Sequence, residues 1–350
     1  MNLDFYKGKR VLITGHTGFK GSWLTKMLLM AGAEVLGYAL KPETTPALYD
    51  ILKLREEPGL QSVLGDIRDL ETLKKAFSDF RPEIVFHLAA QPIVRTSYEE
   101  PVYTYETNVI GTVNVLECLR LTDSVKAAVI ITTDKVYENL ETDRAYEEDD
   151  RLDGYDPYSN SKSCAELAVH SYKKSFLDAT GMAVSTARAG NVIGGGDYSR
   201  DRILPDCIRA AEAGQPVFVR NPHSTRPYEH VLEPLTAYLL IGEKTCENPS
   251  LAGFYNVGPN DTDALETGHL ADLFCAFWGD GETWETGNAN GPHEANFLKL
   301  SHKKITETFG WHPVWNVTEA VKKTVEFARA EDKNAEIEKE IRDFLSEADF

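Results

Sequence analysis

The run Val11-Leu12-Ile13-Thr14-Gly15-His16-Thr17-Gly18-Phe19-Lys20-Gly21 passes from a β-branched stretch through three glycines into a helical pattern over residues 23–30. Strand, glycine-rich turn, helix is the arrangement in which free backbone N–H groups and the positive end of a helix meet a pyrophosphate. The spacing is Gly-x-x-Gly-x-x-Gly. A tight strand-to-helix connection would use the same glycines. Its place at the first strand of a βαβ pattern makes a dinucleotide site the stronger reading, with Gly15, His16, Gly18, Phe19, Lys20 and Gly21 assigned to the cofactor.

Outward from this turn the βα alternation continues. Residues 34–38 read as the second strand. Where an acidic residue often binds the adenine ribose, this chain has Ala39-Leu40-Lys41, which leaves NAD and NADP both open. The third strand, 62–64, ends at Asp66 and Ile67; Asp66 either contacts adenine or caps the helix over 70–80. The run 83–91 is almost wholly apolar and ends in Leu88-Ala89-Ala90-Gln91, as expected of a central parallel strand whose small residues let a cofactor lie against the backbone. Residues 101–121 have helical period, with Asn108 and Thr112 in the packing face. Asn108 either holds a kink or water near the site or is a satisfied core amide. A fifth strand, 127–133, carries Thr132 and Thr133 to its carboxyl end, where ligands bind in open α/β sheets.

A sixth strand over 183–189 leads into Arg188-Ala189-Gly190-Asn191, and past it the alternation breaks. The expected fold is α/β: a Rossmann-type doubly wound parallel sheet over 1–190 and a smaller C-terminal α/β substrate-binding cap over 191–350, with some segments returning to the first lobe. Helical patterns at 266–278 and 317–329 belong to the cap, and 334–346 reads as a charged, peripheral helix.

Tyr158 and Lys162 stand four apart where Asp156-Pro157 opens a helix, so both share one face and the ammonium can sit under the phenol. Thr133 can reach the same phenol from its strand, and Asp134 and Lys135 follow it directly. The loop 138–156 joins the two stretches and holds Glu141, Asp143, Glu147, Glu148, Asp149, Asp150 and Asp153. It is either a solvated surface loop or a flap over the substrate. Arg202 and Arg226, in turn-rich settings, are either bidentate ligands for a diphosphate or ordinary surface ion pairs.

With 37 Lys+Arg against 55 Asp+Glu the formal charge is -18, which argues against a nucleic-acid or anionic-membrane partner. Five scattered cysteines without a Cys-x-x-Cys pair read as reduced thiols, and neither an apolar leader nor a membrane-spanning stretch is visible, so the expected location is the cytoplasm. No metal site is expected.

Taken together, Gly15-x-x-Gly18-x-x-Gly21, Thr133, Tyr158-x-x-x-Lys162 and the C-terminal cap resemble the extended short-chain dehydrogenase/reductase family acting on nucleotide-activated sugars. The resemblance covers nearly the whole chain. It is tightest at residues 15–23, 133–135, 154–162 and 188–197, at Arg220-Asn221-Pro222-His223-Ser224 and at Pro292-His293-Glu294-Ala295, where it points to the branch that dehydrates CDP-glucose at C4 and C6. Related dTDP-glucose enzymes carry Asp-Glu where this chain has Asp134-Lys135, and epimerases of the family typically lack both.

The resemblance implies NAD, without excluding NADP, and a nucleotide sugar, CDP-glucose. It implies catalysis by Thr133, Asp134, Lys135, Tyr158 and Lys162. Ile67, Leu88, Ala89, Ala90 and Thr132 would join the cofactor site, and Gln91, Asn191, Arg202, Arg220, Arg226 and Glu294 the substrate site. It further implies a role in deoxysugar and O-antigen-type polysaccharide synthesis. The 101–121 helix and the small-residue face of the Tyr158 helix suit a homodimer or dimer of dimers. The rival readings are a nucleotide-sugar epimerase, which needs Tyr158 and Lys162 but not Asp134-Lys135, and a non-catalytic NAD-binding sensor or scaffold.

Overall fold

Each apolar run of the first 190 residues forms a parallel strand in the computed structural model, which describes residues 1–142, 144–287 and 297–350. The strands are β1 (Arg10–Thr14), β2 (Glu34–Ala39), β3 (Leu60–Leu64), β4 (Ile84–His87), β5 (Ala127–Thr133) and β6 (Ala183–Ala189). Six more follow: β7 (Asn191–Ile193), β8 (Val217–Val219), β9 (Thr225–His230), β10 (Phe254–Val257), β11 (Ala264–Glu266) and β12 (Trp284–Thr286). The main sheet has seven strands in the order β3-β2-β1-β4-β5-β6-β10, all parallel. Strand order reverses between β1 and β4, and the crevice at their carboxyl ends is where a doubly wound sheet binds its ligand.

Alternation along the strands sorts side chains into two cores. Val11, Ile13, Phe86, Val129 and Ile131 pack with Trp23, Met27, Leu235 and Tyr238 on one face. Leu12, Val85, Ala128 and Ile130 pack with Leu73, Phe77, Leu116 and Val169 on the other. Both faces of β5 and β6 are therefore covered, which is why those strands read as continuous apolar runs. Each such aliphatic side chain contributes about 1.5–3 kcal/mol by leaving water.

Residues beyond 190 do not stay in one lobe. β10 extends the main sheet, and the Leu232–Glu247 helix packs on it. The rest of that half builds a three-stranded sheet, β11-β9-β7, and a two-stranded one, β12-β8, around a separate core that includes Leu204, Phe274 and Val321. One expectation is corrected: the Lys333–Glu347 helix is not peripheral. Ile337, Ile341 and Phe344, spaced four and three apart, are fully buried in the same core as Trp23 and Trp315.

The 101–121 helix is also interrupted. Pro101–Tyr105 passes through a π-helical turn, Glu106–Ile110, into Gly111–Leu121. Asn108 lies in that turn: its Oδ1 accepts from Gln91 N at 2.8 Å, and its Nδ2 donates to Gln91 O at 3.0 Å and Ser161 Oγ at 2.9 Å. Both alternatives for Asn108 thus hold at once, since satisfying the amide and distorting the helix are one event.

Behind the site, Glu166 and Arg188 are both buried and joined by two parallel bonds of 3.0 and 2.9 Å. Glu166 also accepts from Thr132 Oγ1 at 2.5 Å and Thr186 Oγ1 at 2.9 Å, and Arg188 donates to Tyr137 Oη at 2.7 Å and Glu148 O at 3.0 Å. This cluster ties the Pro157–Tyr172 helix to β5, β6 and the acidic loop. Burial alone would ease the proton off Arg188, but the Glu166 charge more than reverses that. Glu166→Ala strands the guanidinium, and a loss of about 3–5 kcal/mol is expected in urea unfolding. A loss below about 1 kcal/mol would show that the pair is no clamp.

Candidate active site

The carboxyl ends of β1 to β6 converge on a cleft of ≈ 1250 Å³ between the sheet and the cap. Gly15, Gly18, Phe19, Lys20 and Gly21 line it from the first turn, Asp66 and Ile67 from β3, and Leu88, Ala89 and Ala90 from β4. Two of the glycines are sterically required. Gly15 has φ +82°, and a Cβ there would lie 2.7 Å from Ala89 N; a Cβ on Gly21 would lie 2.0 Å from Gly15 O. Gly18 is the N-cap of the Phe19–Met30 helix, whose positive end opens on the cleft.

His16 is a correction. Its ring lies behind the turn against Gly37, fully buried, with Nε2 2.8 Å from Ser62 Oγ, and burial draws its pKa down to about 4. A neutral, enclosed imidazole packs the turn and does not line the cleft. Asp66 lines the cleft but is held by Arg68, whose guanidinium keeps the carboxyl below its usual range. The cap of the Leu70–Phe80 helix is Asp69, which accepts from Thr72 N. Thr132 also lines the cleft, with its hydroxyl given to Glu166.

The catalytic candidates meet at the end of β5. Asp156 caps the Pro157–Tyr172 helix by accepting from Ser159 N, and proline sits at its first turn. Tyr158 and Thr133 then both line the cleft at this point. Thr133 Oγ1 donates to Asp134 Oδ1 at 2.9 Å and accepts from the Lys135 N–H at 3.4 Å. Lys135 Nζ donates to Asp134 Oδ1 and Asn191 Oδ1, both at 3.1 Å. Asp134 is fully buried just behind the cleft lining, and its Oδ2 has no hydrogen-bond partner among the described residues.

Lys162 Nζ donates to Ile131 O at 3.2 Å; burial, reinforced by the charge of Lys20, draws its pKa down to about 8. Burial pushes the Tyr158 phenol up to about 12, with the Thr133 side chain opposing the rise. The protein's own groups therefore favour a neutral phenol here, where the Tyr-Lys spacing alone suggested a phenolate. Lys20 stands on the same wall, drawn down to about 8 by burial and partly restored by Glu229.

Of the substrate candidates, Asn191, Arg202, Arg220 and Arg226 line the cleft. Arg202 pairs with Asp197 at 3.1 Å, Arg220 pairs with Asp201, and Arg226 donates to Thr225 O. Gln91 is a correction. Its Nε2 donates to Thr104 Oγ1 at 2.9 Å and its Oε1 accepts from Ile93 N at 2.6 Å, so the side chain serves the turn after β4 and is turned from the cleft. Glu294 and Asp143 lie outside the described residues.

One residue escaped the sequence. Arg95 lines the cleft and reaches Asp201 at 3.6 Å, converging with Arg220 on one carboxylate. Following the β4 run past Ala90 to the first arginine would have found it. Asn139, Leu140, Glu141 and Tyr155 of the acidic loop also line the cleft, while Tyr146 of that loop packs with Val136, Tyr137, Leu298 and Leu300. The loop is thus a wall of the cleft as well as a surface segment. Among the described residues no group of His, Cys, Asp or Glu is placed to hold a metal ion, and no helix is long and apolar enough to cross a membrane.

The family profile described as GDP-mannose 4,6-dehydratase matches residues 12–324. The CDP-glucose 4,6-dehydratase of Salmonella typhimurium is 45% identical over 353 residues, covering 98% of each chain. Among solved structures, the UDP-glucose 4-epimerase of Thermus thermophilus in complex with NAD superposes with a TM-score of 0.79 at 28% identity, over 92% of this chain and 99% of that one. The dTDP-glucose 4,6-dehydratase of Bacillus anthracis in complex with NAD superposes with a TM-score of 0.78 at 21% identity, over 94% of this chain and 100% of that one, a likeness of fold.

Proposed function

The chain belongs to the GDP-mannose 4,6-dehydratase family, and from that premise we propose that it converts CDP-glucose to CDP-4-keto-6-deoxyglucose with bound NAD. The observation that carries this reading is the Asp134–Lys135 pair beside Thr133 and Tyr158 at the end of β5. A stereochemical inversion at C4 has no use for a second acid and base, and a dehydration needs both.

NAD fits the residues present. Gly15 and Gly21 let the turn close tightly on its own backbone beside the cleft, the helix end at Gly18 suits a pyrophosphate, and Leu88, Ala89 and Ala90 line the wall with small and apolar groups. Gly15, Gly18, Phe19, Lys20, Gly21, Asp66, Ile67 and Lys162 would hold it. The chemistry NAD supplies is hydride exchange, out of C4 at the start and into C6 at the end.

Tyr158 takes the O4 proton, a role that requires the phenolate which burial disfavours in the free protein. The ketone at C4 acidifies the C5 proton, which Lys135 removes, while Asp134 protonates the departing C6 hydroxyl. These roles require a neutral amine and a protonated carboxyl. One proton moved across the 3.1 Å between Lys135 Nζ and Asp134 Oδ1 turns the ion pair into that neutral pair. Asn191 Oδ1, also 3.1 Å from the amine, aims it. Arg95, Arg202, Arg220 and Arg226 supply the charge for the diphosphate in an otherwise acidic chain.

The exposed Val102 and Ile110, with Leu167 on the Tyr158 helix, support a homodimer through these helices. Five free cysteines support a reducing, cytoplasmic setting.

The test is NMR of the protein with CDP-glucose and NAD in D2O, with other nucleotide-glucoses in parallel. A C6 methyl signal beside a C4 ketone, with deuterium at C5, is expected. A sugar changed only in configuration would make the protein an epimerase, and no change with any nucleotide would leave a cofactor-binding scaffold.

A further inference from the structure

Among the described residues four arginines line the cleft, and three of them already hold a carboxylate. Arg202 pairs with Asp197 at 3.1 Å, while Arg95, at 3.6 Å, and Arg220 converge on Asp201. The two aspartates differ in what else they do. Asp197 is buried and accepts from Ser199 N at 3.0 Å, so it belongs to its own turn. Asp201 lies two residues before the Ile203–Glu212 helix, with φ +62° and its side chain 36% exposed. Among the described residues it pairs with no cation but Arg95 and Arg220. A third carboxylate, Asp206, stands 3.8 Å from Arg220 but is shared with Arg209 of its own helix.

At Asp201 neither charge nor hydrogen bonding is complete. Arg95 follows β4 and Arg220 follows β8, and both guanidiniums meet the same oxygen, Oδ1. One negative charge faces two positive ones. Arg95 is also short of acceptors: its Nε–H is buried with no hydrogen-bond partner among the described residues, and the 3.6 Å to Asp201 is beyond hydrogen-bond length. Each guanidinium is a fork built to bind two oxygens, so a single carboxylate does not satisfy both. The diphosphate of a nucleotide sugar carries a negative charge on each phosphate and several free oxygens, which matches both deficits.

We propose that Asp201 is an internal counter-ion that holds Arg95 and Arg220 together in the free protein and is displaced when the substrate's diphosphate binds. The inference rests on the reading of these arginines as the diphosphate site, and it holds for any nucleobase. Without a carboxylate between them the two guanidiniums repel each other. With Asp201 they stay together but under-satisfied. The incoming diphosphate neutralises both and releases Asp201 to water, toward which its side chain is already open. No covalent bond changes; one set of ion pairs replaces another. The sign of the effect separates this role from a structural one. A carboxylate that only positions the arginines helps a diphosphate to bind, whereas one that occupies its place opposes it.

Calorimetric titration of the NAD-loaded protein with CDP, UDP, GDP and dTDP reads diphosphate binding without turnover, and the tightest of the four is carried to the variants. Asp201→Asn removes the charge, and Asp201→Gly removes the whole side chain. Asparagine and glycine both accept a positive φ, so the turn keeps its shape in either variant. Each is expected to bind the diphosphate about 5-fold more tightly than wild type, the scale of one partly exposed ion pair. The gain should shrink as NaCl is raised, because added ions screen the carboxylate that competes in the wild type. Unchanged or weaker binding in either variant, or a gain that salt leaves untouched, would overturn the exchange. So would a wild-type chain that binds none of the four. The NMR assay answers the separate question of the reaction: a sugar that is only epimerised would end the dehydratase reading, while the titrations still decide the role of Asp201.

Discussion

Replacing Lys135 by methionine is expected to stop the reaction after C4 oxidation. The thioether keeps roughly the length and apolar stem of the lysine but has no basic atom, so the C5 proton stays on the sugar. Nicotinamide absorbance should then rise toward one reduced cofactor per site, with no deuterium at C5 and no C6 methyl. Formation of the 6-deoxy product should fall by about 10²–10⁴-fold, the usual contribution of a positioned base. The substitution also frees Asp134 Oδ1 and Asn191 Oδ1 from the amine, so Lys135→Arg is the companion variant: it keeps a charge on Asp134 but gives no base at neutral pH. Methionine and arginine variants that both accumulate the oxidised sugar would place the defect in proton removal. Turnover at the wild-type rate in the methionine variant would remove Lys135 from the mechanism.

Tyr158→Phe is expected to act one step earlier. Without the phenol oxygen nothing takes the O4 proton, and C4 oxidation should drop by about 10²–10⁴-fold, so that neither reduced cofactor nor C5 exchange appears. Packing should change little. The ring is buried, and Thr133 keeps its bonds to Asp134 and to the Lys135 N–H when the phenol is gone. NAD affinity by calorimetry and the urea midpoint should therefore stay near wild type. Reduced cofactor accumulating in this variant as in Lys135→Met would mean that another group takes the O4 proton. In that case the hydroxyl of Thr133 or the amine of Lys20, on the same wall, is the next candidate.

The parallel sheet was legible because its signals are local. β-branched runs, the Gly15–Gly18–Gly21 spacing and the Asp156-Pro157 helix start each act within a few residues, and the observed strands and helix begin where those signals stand. The Thr133, Asp134, Lys135, Tyr158 and Lys162 set was legible for a related reason. A strand end and a helix first turn each present side chains in a known direction, so two short motifs define one meeting point.

Side chains whose direction depends on distant packing were read less well. His16 belongs to the glycine turn in sequence, but Gly37, on the neighbouring strand, leaves the space its ring fills. Gln91 ends an apolar run that faces the cleft, yet Thr104 and Asn108, more than ten residues on, claim its amide and backbone. The Lys333–Glu347 helix looks solvated by composition, and only the docking of Ile337, Ile341 and Phe344 beside Trp23 and Trp315 makes it core.

Taken by itself, the sequence determined a doubly wound α/β fold, a dinucleotide turn and one cluster of acid, base and hydroxyl groups, because each is written in spacings of two to four residues. Which of those groups face the cleft, which charges meet and how protons can pass between them were decided only by tertiary structure. Arg95 and Arg220 meet on Asp201 across more than a hundred residues. The phenol of Tyr158 is pushed up to about 12 by burial that no local pattern records. Desolvation and hydrogen-bond partners depend on every element packed around a group, and that information exists only once the chain has folded.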